Sequence, residues 1–491
     1  MKLTSYILLL GSLLLGSMLP CQGQPLILDS AFTSQELNGQ IEYLRAEKYA
    51  QLSDVQASPD WQRQLDIQPL SPQQSLWGRF KVVQQAGNQA RFAFVIANPT
   101  LDEVDLYLLD DRGRIRRSLM MGALRPFSAR ELNHRHFLIR LDMTPGEQLD
   151  IYFRIADKGP LVFPVQLWRD EALIAEEQAN LAIIGMIGGA LSILAFYYLI
   201  TYVLLRSPVR FWFSMASFSF LLLFLNVEGV LVQIVPGLSG YISLLTLCLV
   251  ALALFNASKV SHLMLHGVPM YWRYVSYSAS YLLLLCAFIL NDYWQIIAAI
   301  GLAGATLVVQ LGVAWRFSDR KDGRPNRLYA IGWSSISLIA LLQSGFYLSG
   351  VILESTLSLY LTLLTLFGIL LIALAVEAHQ QAQVLSRYER QSNTINDLRR
   401  FYELFRNSAE GLYTSTLAGK LITTNPAMCK LFGYDNEQQM LKECGNTSQF
   451  YANQVDRLTL VEELVKQGVV MGREIRGVRR DGSQFWFSIS V

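Results

Sequence analysis

The chain has 491 residues, of which 52% are hydrophobic and 16% are charged, and its formal net charge is +2. A soluble domain normally carries about a quarter charged residues, so this deficit indicates that part of the chain lies in a membrane. A nucleic-acid-binding surface needs a strongly basic balance, and the near-zero net charge argues against such a partner.

The first 23 residues have the pattern of a secretory signal peptide. Lys2 is followed by an apolar run at 7–15 and then by small or polar residues before Gln24. Cys21 suggests a lipid attachment site, but Pro20 directly before it makes a poor lipobox. An uncleaved membrane anchor is the alternative, and it would change the count of spans. No disulfide is expected, because residues 24–180 contain no cysteine.

Residues 24–175 are predicted to form a β-sandwich outside the membrane. Short runs that alternate apolar and polar residues are separated by turn signals such as Asn98-Pro99 and Asp111-Arg112-Gly113. Period-two runs at this spacing are typical of antiparallel sandwiches. The runs lie at 77–83, 91–96, 104–109, 136–141 and 149–155.

Trp61, Trp77 and Trp168 are candidate ligand-binding residues of this domain. Aromatic faces stack on the apolar faces of sugar rings, so the three could line a carbohydrate-binding surface. The alternative is that they are core or edge packing residues, and the large area that aromatics bury favours it.

Seven apolar stretches follow between residues 181 and 376, and most approach the ~20 residues needed to cross a hydrocarbon core. They lie at 181–205, 211–235, 241–264, 275–290, 293–315, 328–349 and 355–376. All nine basic residues of this region fall in alternate gaps or at the span end beside one, at Arg206, Arg210, Lys259, Arg273, Arg316, Arg320, Lys321, Arg324 and Arg327. Because positive charge stays in the cytoplasm, the pattern predicts an outer N-terminus and an inner C-terminus.

Charged residues within the spans are scarce. Glu228 lies towards the outer end of the second span, where we expect a solvated helix end, and Lys259 lies towards the inner end of the third. Transport pathways need ionisable groups near the bilayer centre, so their scarcity argues against a pump. Glycines in the first span and at Gly301 and Gly304 indicate close helix packing, either within the bundle or between copies.

Residues 377–403 are predicted to continue the last span as a signalling helix. Tyr388, Ile395 and Tyr402 occupy heptad position a, and Leu398 and Phe405 occupy position d. Such a seam predicts a parallel coiled coil and hence a homodimer. An amphipathic helix that packs on the next domain is the alternative. His379 is followed by Gln380 rather than by an acidic residue, so a kinase phosphoacceptor is not predicted.

Residues 404–491 have the turn and cap signals of an α+β domain. Asn425 is predicted to cap a helix that has Pro426 at its first position, and Asp435 to cap a second helix. Asp481-Gly482 predicts a tight β-hairpin near the end.

This order of elements resembles the PAS sensory domain family. The likeness rests on Asn407-Ser-Ala-Glu-Gly-Leu-Tyr, Gly419-Lys-Leu-Ile-Thr-Thr-Asn-Pro-Ala, Leu431-Phe-Gly-Tyr and Arg479-Arg-Asp-Gly-Ser-Gln-Phe-Trp. The family pattern has one more strand after residue 491, so we expect a longer protein. No histidine follows His379 and the light-sensing cysteine motif is absent, so histidine-ligated haem and light-sensing flavin are not expected. The resemblance implies that this domain dimerises and relays a signal without a bound ligand. The alternative is that it binds an unidentified metabolite.

The order of the parts resembles the bacterial seven-transmembrane receptors with diverse intracellular signalling modules. Residues 75–168 are similar to their second type of extracellular domain, a jelly-roll, carbohydrate-binding-like sandwich. The resemblance implies a receptor in the inner membrane that senses a periplasmic small molecule or sugar. The fold class is then a jelly-roll-like sandwich, a seven-helix bundle and an α+β PAS domain. The alternative is the N-terminal part of a diguanylate cyclase or histidine kinase whose catalytic domain lies beyond residue 491.

Overall fold

The computed structural model describes residues 25–65, 70–71, 73–85, 90–158, 161, 163–265, 268–290, 292–317, 323–349 and 355–491. The predicted signal peptide lies outside these residues, as do the basic residues Arg320 and Lys321. The chain divides into two compact units, Met1–Gln380 and Gln381–Val491.

The N-terminal part of the first unit contains a six-stranded sheet. Its strands follow the order β1-β4-β9-β6-β7, and β3 pairs with the first half of β4. All pairs are antiparallel except β1 with β4. The strands are β1 (Leu26–Leu28), β3 (Glu42–Glu47), β4 (Gln74–Gln84), β6 (Glu103–Leu109), β7 (Ile115–Met121) and β9 (Gln148–Ala156).

A second, four-stranded sheet has the order β2-β10-β5-β8. Its strands are β2 (Ser34–Glu36), β5 (Phe92–Ile96), β8 (Phe137–Leu141) and β10 (Val165–Arg169). Buried side chains from both sheets form one core, in which Phe94 contacts Phe80 and Phe153 across the interface. The domain is therefore β-rich, as predicted, and the five alternating runs lie in β4, β5, β6, β8 and β9. A short helix, α1 (Leu52–Ala57), lies between β3 and β4.

Long apolar helices follow the sheets. They are α2 (Asp170–Leu205), α3 (Pro208–Val227), α5 (Ile242–Met264), α6 (Met270–Ile289), α7 (Asp292–Arg316), α8 (Gly323–Leu348) and α9 (Ser355–Asn407), with the short α4 (Val230–Ile234) after α3. Within the described residues, six of these helices are long and apolar enough to span a membrane, one fewer than predicted. The exception is α6, whose first half carries Arg273, two serines and three tyrosines that lower its mean hydropathy.

Two glycines bring α8 and α9 into close contact. A Cβ at Gly332 would lie 2.7 Å from Ile372 Cγ1 and 2.9 Å from the carbonyl oxygen of Gly368. The glycines singled out from the sequence behave differently, because a Cβ at Gly301 or Gly304 would meet no described atom within 4 Å. Close helix approach therefore occurs between the last two helices, at a pair of glycines that the sequence analysis did not select.

Helix α9 runs without a break for 53 residues, through both the last predicted span and the predicted signalling helix. The second unit continues with β11 (Tyr413–Ser415), β12 (Leu421–Thr424), α10 (Pro426–Phe432), α11 (Glu437–Glu443), α12 (Gln454–Gln467), β13 (Arg473–Val478) and β14 (Gln484–Ile489). Asn425 caps α10 as predicted, since its side chain accepts from Met428 N–H. The cap of α11 is Asn436 rather than Asp435.

Candidate functional site at the junction of the sandwich and the helices

Arg135 lies just before β8, and its side chain is almost completely buried between the sandwich and the helices. Its Nε donates to Glu177 Oε1 at 2.7 Å and its Nη2 to Glu177 Oε2 at 3.3 Å. Its Nη1 donates to Glu228 Oε2 at 2.8 Å. Glu177 is on α2 and Glu228 is the C-terminal cap of α3, so one guanidinium joins the sandwich to two helices. Bidentate, charge-assisted hydrogen bonds of this kind fix both the distance and the orientation between the groups that they join.

The backbone around Arg135 is held in place by Arg130. Its Nη1 donates to the carbonyl oxygens of His134 at 2.9 Å and Arg135 at 2.6 Å. Its guanidinium also stacks over Phe127 and Phe137, at 4.6 and 4.5 Å from the ring centroids. Burial lowers the pKa of Arg130 to about 10, so this side chain remains charged at neutral pH.

Two histidines flank Arg135. The His134 Nε2 lies 3.5 Å from Glu177 Oε1, and the His134 Nδ1 accepts from the backbone N–H of His136 at 3.0 Å. The pKa of His136 lies well below its usual value, because burial and the nearby Arg135 and His134 disfavour a second positive charge, against a smaller opposing effect of Glu177. His136 is therefore neutral, and Glu177 and Glu228 share the guanidinium of Arg135.

The segment between α3 and α5 makes a second attachment. Gly240 N–H donates to the carbonyl oxygen of Ala123 at 2.6 Å, and Gln233 Nε2 donates to that of Asn133 at 3.1 Å. Gly229 has a φ of +75°, and a Cβ there would lie 2.7 Å from Pro99 Cβ. Only glycine combines this backbone conformation with so close an approach.

At its N-terminal end, α3 contacts the middle of α9, near residues 377–380. Arg210 Nη2 donates to Glu377 Oε2 at 3.0 Å, and Ser207 Oγ donates to Gln380 Oε1 at 2.9 Å. The hydroxyl of Tyr198, near the end of α2, donates to the carbonyl oxygen of Ala373 at 2.8 Å. Helix α3 therefore carries an ion pair to the sandwich at one end and an ion pair to α9 at the other.

Two family models match the chain in the same order as these structural parts. The model described as 7TMR-DISM extracellular 2 matches residues 38–169, and the model described as 7TM diverse intracellular signalling matches residues 180–377. The chain carries a 7TMR-DISM extracellular 2 domain followed by a 7TMR-DISM transmembrane domain. These domains indicate a multi-pass membrane protein of the sensory receptor class, with an extracellular N-terminal domain. Neither model covers residues 404–491. A search of curated proteins found no match.

The three candidate tryptophans of the extracellular domain do not line one surface. Trp77 is 1% exposed and stacks on Tyr107, with ring centroids 5.7 Å apart. Trp61 is partly buried nearby, where the guanidinium of Arg79 covers one face of its ring at 4.3 Å. Trp168 lies on β10 in the other sheet and, like Leu173 of α2, packs against the cluster of Ala93, Val95 and Leu138. Trp61 and Trp77 thus share one sheet face, and Trp168 lies beside the junction with the helices.

The junction residues were missed or misjudged from the sequence. Glu228 was expected at a solvated helix end, but its side chain is only 15% exposed and pairs with Arg135. Arg135 lies in Asn133-His-Arg-His-Phe, a polar segment before a strand that gives no sign of burial. The one available signal was an acidic residue, Glu228, between two apolar stretches, because an acid in that position requires a partner.

The predicted signalling-helix residues lie on α9. Tyr388, Ile395, Leu398 and Tyr402 are all more than half exposed, and Phe405 is partly buried. In the second unit, Asn425 is fully buried and its side chain makes four hydrogen bonds. One of them runs from Asn425 Nδ2 to the carbonyl oxygen of Phe405 at 3.1 Å, so this side chain ties the end of α9 to the strands that follow.

Proposed function

We propose that the chain is a bacterial inner-membrane receptor that senses a periplasmic small molecule through its sandwich and relays the signal to a cytoplasmic PAS domain. The observation that carries the proposal is the pair of ion pairs at the two ends of α3. Arg135 of the sandwich holds Glu228 at one end, and Arg210 at the other end holds Glu377 of α9. A displacement of the sandwich would therefore be transmitted through α3 to α9.

The length of α3 suits this role. Its 20 residues extend about 30 Å, which equals the thickness of a hydrocarbon core. A helix of that length moves as a rigid element, so a shift at Glu228 is transmitted to Arg210. Coupling between two sites in a protein is typically ~1–3 kcal/mol, which is enough to bias an attached output domain.

The contacts of α6 support a seventh crossing, although its composition is too polar to qualify alone. Helix α5 begins beside the sandwich, because Gly240 binds Ala123. The first halves of α5 and α7 pack together in one cluster with Leu283 of α6, and Gln310 late in α7 donates to Ser258 late in α5 at 2.8 Å. The two helices therefore run in the same direction, and α6 must return across the same thickness between them.

A seventh crossing gives a specific topology for reporter fusions. A reporter of compartment placed after Leu265 is expected inside the cell, and one placed after Leu290 is expected outside. Fusions in the 236–240 segment and after Val376 should report outside and inside, respectively. If fusions after Leu265 and Leu290 report the same compartment, then α6 does not cross and the proposed inner C-terminus is wrong.

The exposed stripe on α9 supports a homodimer. Val384, Tyr388, Ile395, Leu398 and Tyr402 repeat at heptad spacing, and each exposes more than half of its side chain. A continuous apolar stripe on a lone helix is unfavourable in water, so it needs a partner surface. A second copy of the same helix provides a matching stripe in parallel register.

Cysteine crosslinking in membranes tests this dimer. Ile395→Cys and Leu398→Cys, made after Cys248 and Cys286 are replaced by serine, are expected to form disulfide-linked dimers on mild oxidation. Asn393→Cys is the matched control, because it lies on the same helix at an exposed position away from the seam. Equal dimer yields from positions 393 and 395, or none from either, would rule out the parallel seam.

The second unit supports the PAS assignment through its order of elements. Two short strands, two short helices, a longer helix and a hairpin follow one another, and Gly482 takes a φ of +85° in the hairpin turn. Within this unit, Asn425 joins the end of α9 at Phe405 to Leu412, directly before the first strand. A rotation of the helix would therefore displace the strands directly.

A further inference from the structure

Lys259 lies on α5 at the end of the bundle that is remote from the sandwich. Its ammonium group sits among three aromatic rings, 4.4 Å from the centroid of Tyr277, 5.2 Å from Phe255 and 5.5 Å from Trp212. Among the described residues, no carboxylate pairs with Lys259. The ring faces stabilise a cation, but they do not neutralise it.

Two further donors lie near Tyr277. His262, one turn after Lys259, packs edge-on against Tyr277 at 5.3 Å, and it is 7% exposed. Neither of its ring nitrogens has a hydrogen-bond partner in the described part of the chain. Arg273 of α6 lies one turn before Tyr277, is exposed, and likewise has no described carboxylate partner. Buried polar groups are normally hydrogen-bonded, so the two orphan nitrogens indicate a missing acceptor.

The position of the groove identifies the acceptor. The rings around Lys259 belong to α3, α5 and α6, so the groove is the space between these three helices. On α6, Tyr281 and Tyr274 are about three-fifths exposed. Lys259 is five residues from the end of α5, or about 8 Å along the helix axis, and from there its long side chain can extend to the headgroup level. Basic pockets between membrane helices bind anionic lipid headgroups, and the aromatic rings beyond Lys259 offer a surface for acyl chains.

We propose that the groove between α3, α5 and α6 binds an anionic phospholipid, whose phosphate is held by Lys259, Arg273 and His262. The bound phosphate supplies the counter-charge that the two cations lack and the acceptor that His262 lacks. This lipid site is separate from the sandwich and from the ion pairs of α3, so it would act alongside the periplasmic ligand.

A lipid titration of the full chain in neutral detergent micelles tests the site. Dioleoyl phosphatidylglycerol is expected to raise the thermal unfolding midpoint in a saturable way, and dioleoyl phosphatidylcholine is not. Lys259→Met should weaken the apparent affinity for phosphatidylglycerol about five-fold, and Lys259→Arg should retain it. Arg206→Gln is the matched control, because Arg206 is an exposed cation in the loop between α2 and α3, away from the rings.

Three results would overturn the proposal. These are equal shifts with both lipids, an unchanged affinity in Lys259→Met, and an inorganic phosphate shift as large as that of phosphatidylglycerol. The last result would identify a free phosphate site instead of a lipid site. If Lys259→Met does not fold, Arg273→Gln replaces it, since that side chain is exposed, and the same five-fold weakening is expected.

Discussion

Replacement of Arg135 by alanine is expected to lower the free energy of unfolding by about 3–5 kcal/mol, which is the usual cost of breaking a buried ion pair. The change leaves Glu177 and Glu228 buried without their shared guanidinium, since their side chains are only 17% and 15% exposed. It also disconnects the sandwich from α3. Urea unfolding in detergent, followed by tryptophan fluorescence, measures the loss.

Two further variants separate the causes. Arg114→Ala is the matched control, because Arg114 is 70% exposed and pairs with Asp110 on a surface hairpin, so the expected change is within about 0.5 kcal/mol. Arg135→Ala combined with Glu177→Gln and Glu228→Gln should recover part of the loss, because it removes the unpaired charges. If Arg135→Ala and Arg114→Ala cost the same, the buried triad does not hold the junction.

Replacement of Gly368 by leucine is expected to destabilise the bundle by about 1–3 kcal/mol, the usual cost of overpacking. A Cβ at this position would already lie 2.7 Å from Ile336 Cγ1 and 3.0 Å from the carbonyl oxygen of Gly332, and it would clash with Ser335 Oγ. Leucine favours a helix over glycine by up to ~1 kcal/mol, so the steric cost exceeds the gain in propensity. The thermal unfolding midpoint in detergent measures the net effect.

Gly304→Leu provides the comparison for the same substitution. A Cβ at Gly304 meets no described atom within 4 Å, so only the gain in helix propensity remains and the midpoint should stay or rise. Because α8 would have to move away from α9, Gly368→Leu should also change the dimer yield at Ile395→Cys. Equal midpoints for the two leucine variants would show that α8 and α9 do not pack through their glycines.

Much of the extracellular domain could be predicted because its strands bury one face. The runs at 91–96 and 136–141 alternate or are wholly apolar, and both lie in the core sheet as β5 and β8. The polar side chains of β9 were less informative. The charge of Arg154 predicts a side chain that faces solvent, but the side chain is buried and donates to Asp105 Oδ2 at 2.5 Å. A periodic pattern predicts on which face of the sheet a side chain lies, but it does not predict whether other parts of the chain bury that face.

The helices show a similar limit. Apolar length predicted seven spans, and six helices within the described residues are long and apolar enough to cross a membrane. The exception is α6, where polar side chains lie in the first half of the helix. Ser276 and Ser280 are buried there, although hydropathy counts them as if they faced lipid. The partner of Glu228 could not be predicted, since Arg135 and Glu228 are 93 residues apart in the sequence. Pairing at such distance depends on the tertiary fold.

The direct passage from β10 into α2 limits how the sandwich can move. Arg169 ends the strand and Asp170 begins the helix, with no linker residue between them. The backbone of Asp170 also donates to Arg91 at 3.0 Å, which fixes this first attachment. The second attachment is at Ala123, on the segment between α3 and α5. A body held at two points keeps one rotational degree of freedom, about the line through them. Arg135 is a third contact, separate from Asp170 and Ala123. Its ion pairs with Glu177 and Glu228 would oppose that rotation and fix the orientation of the sandwich relative to the helices.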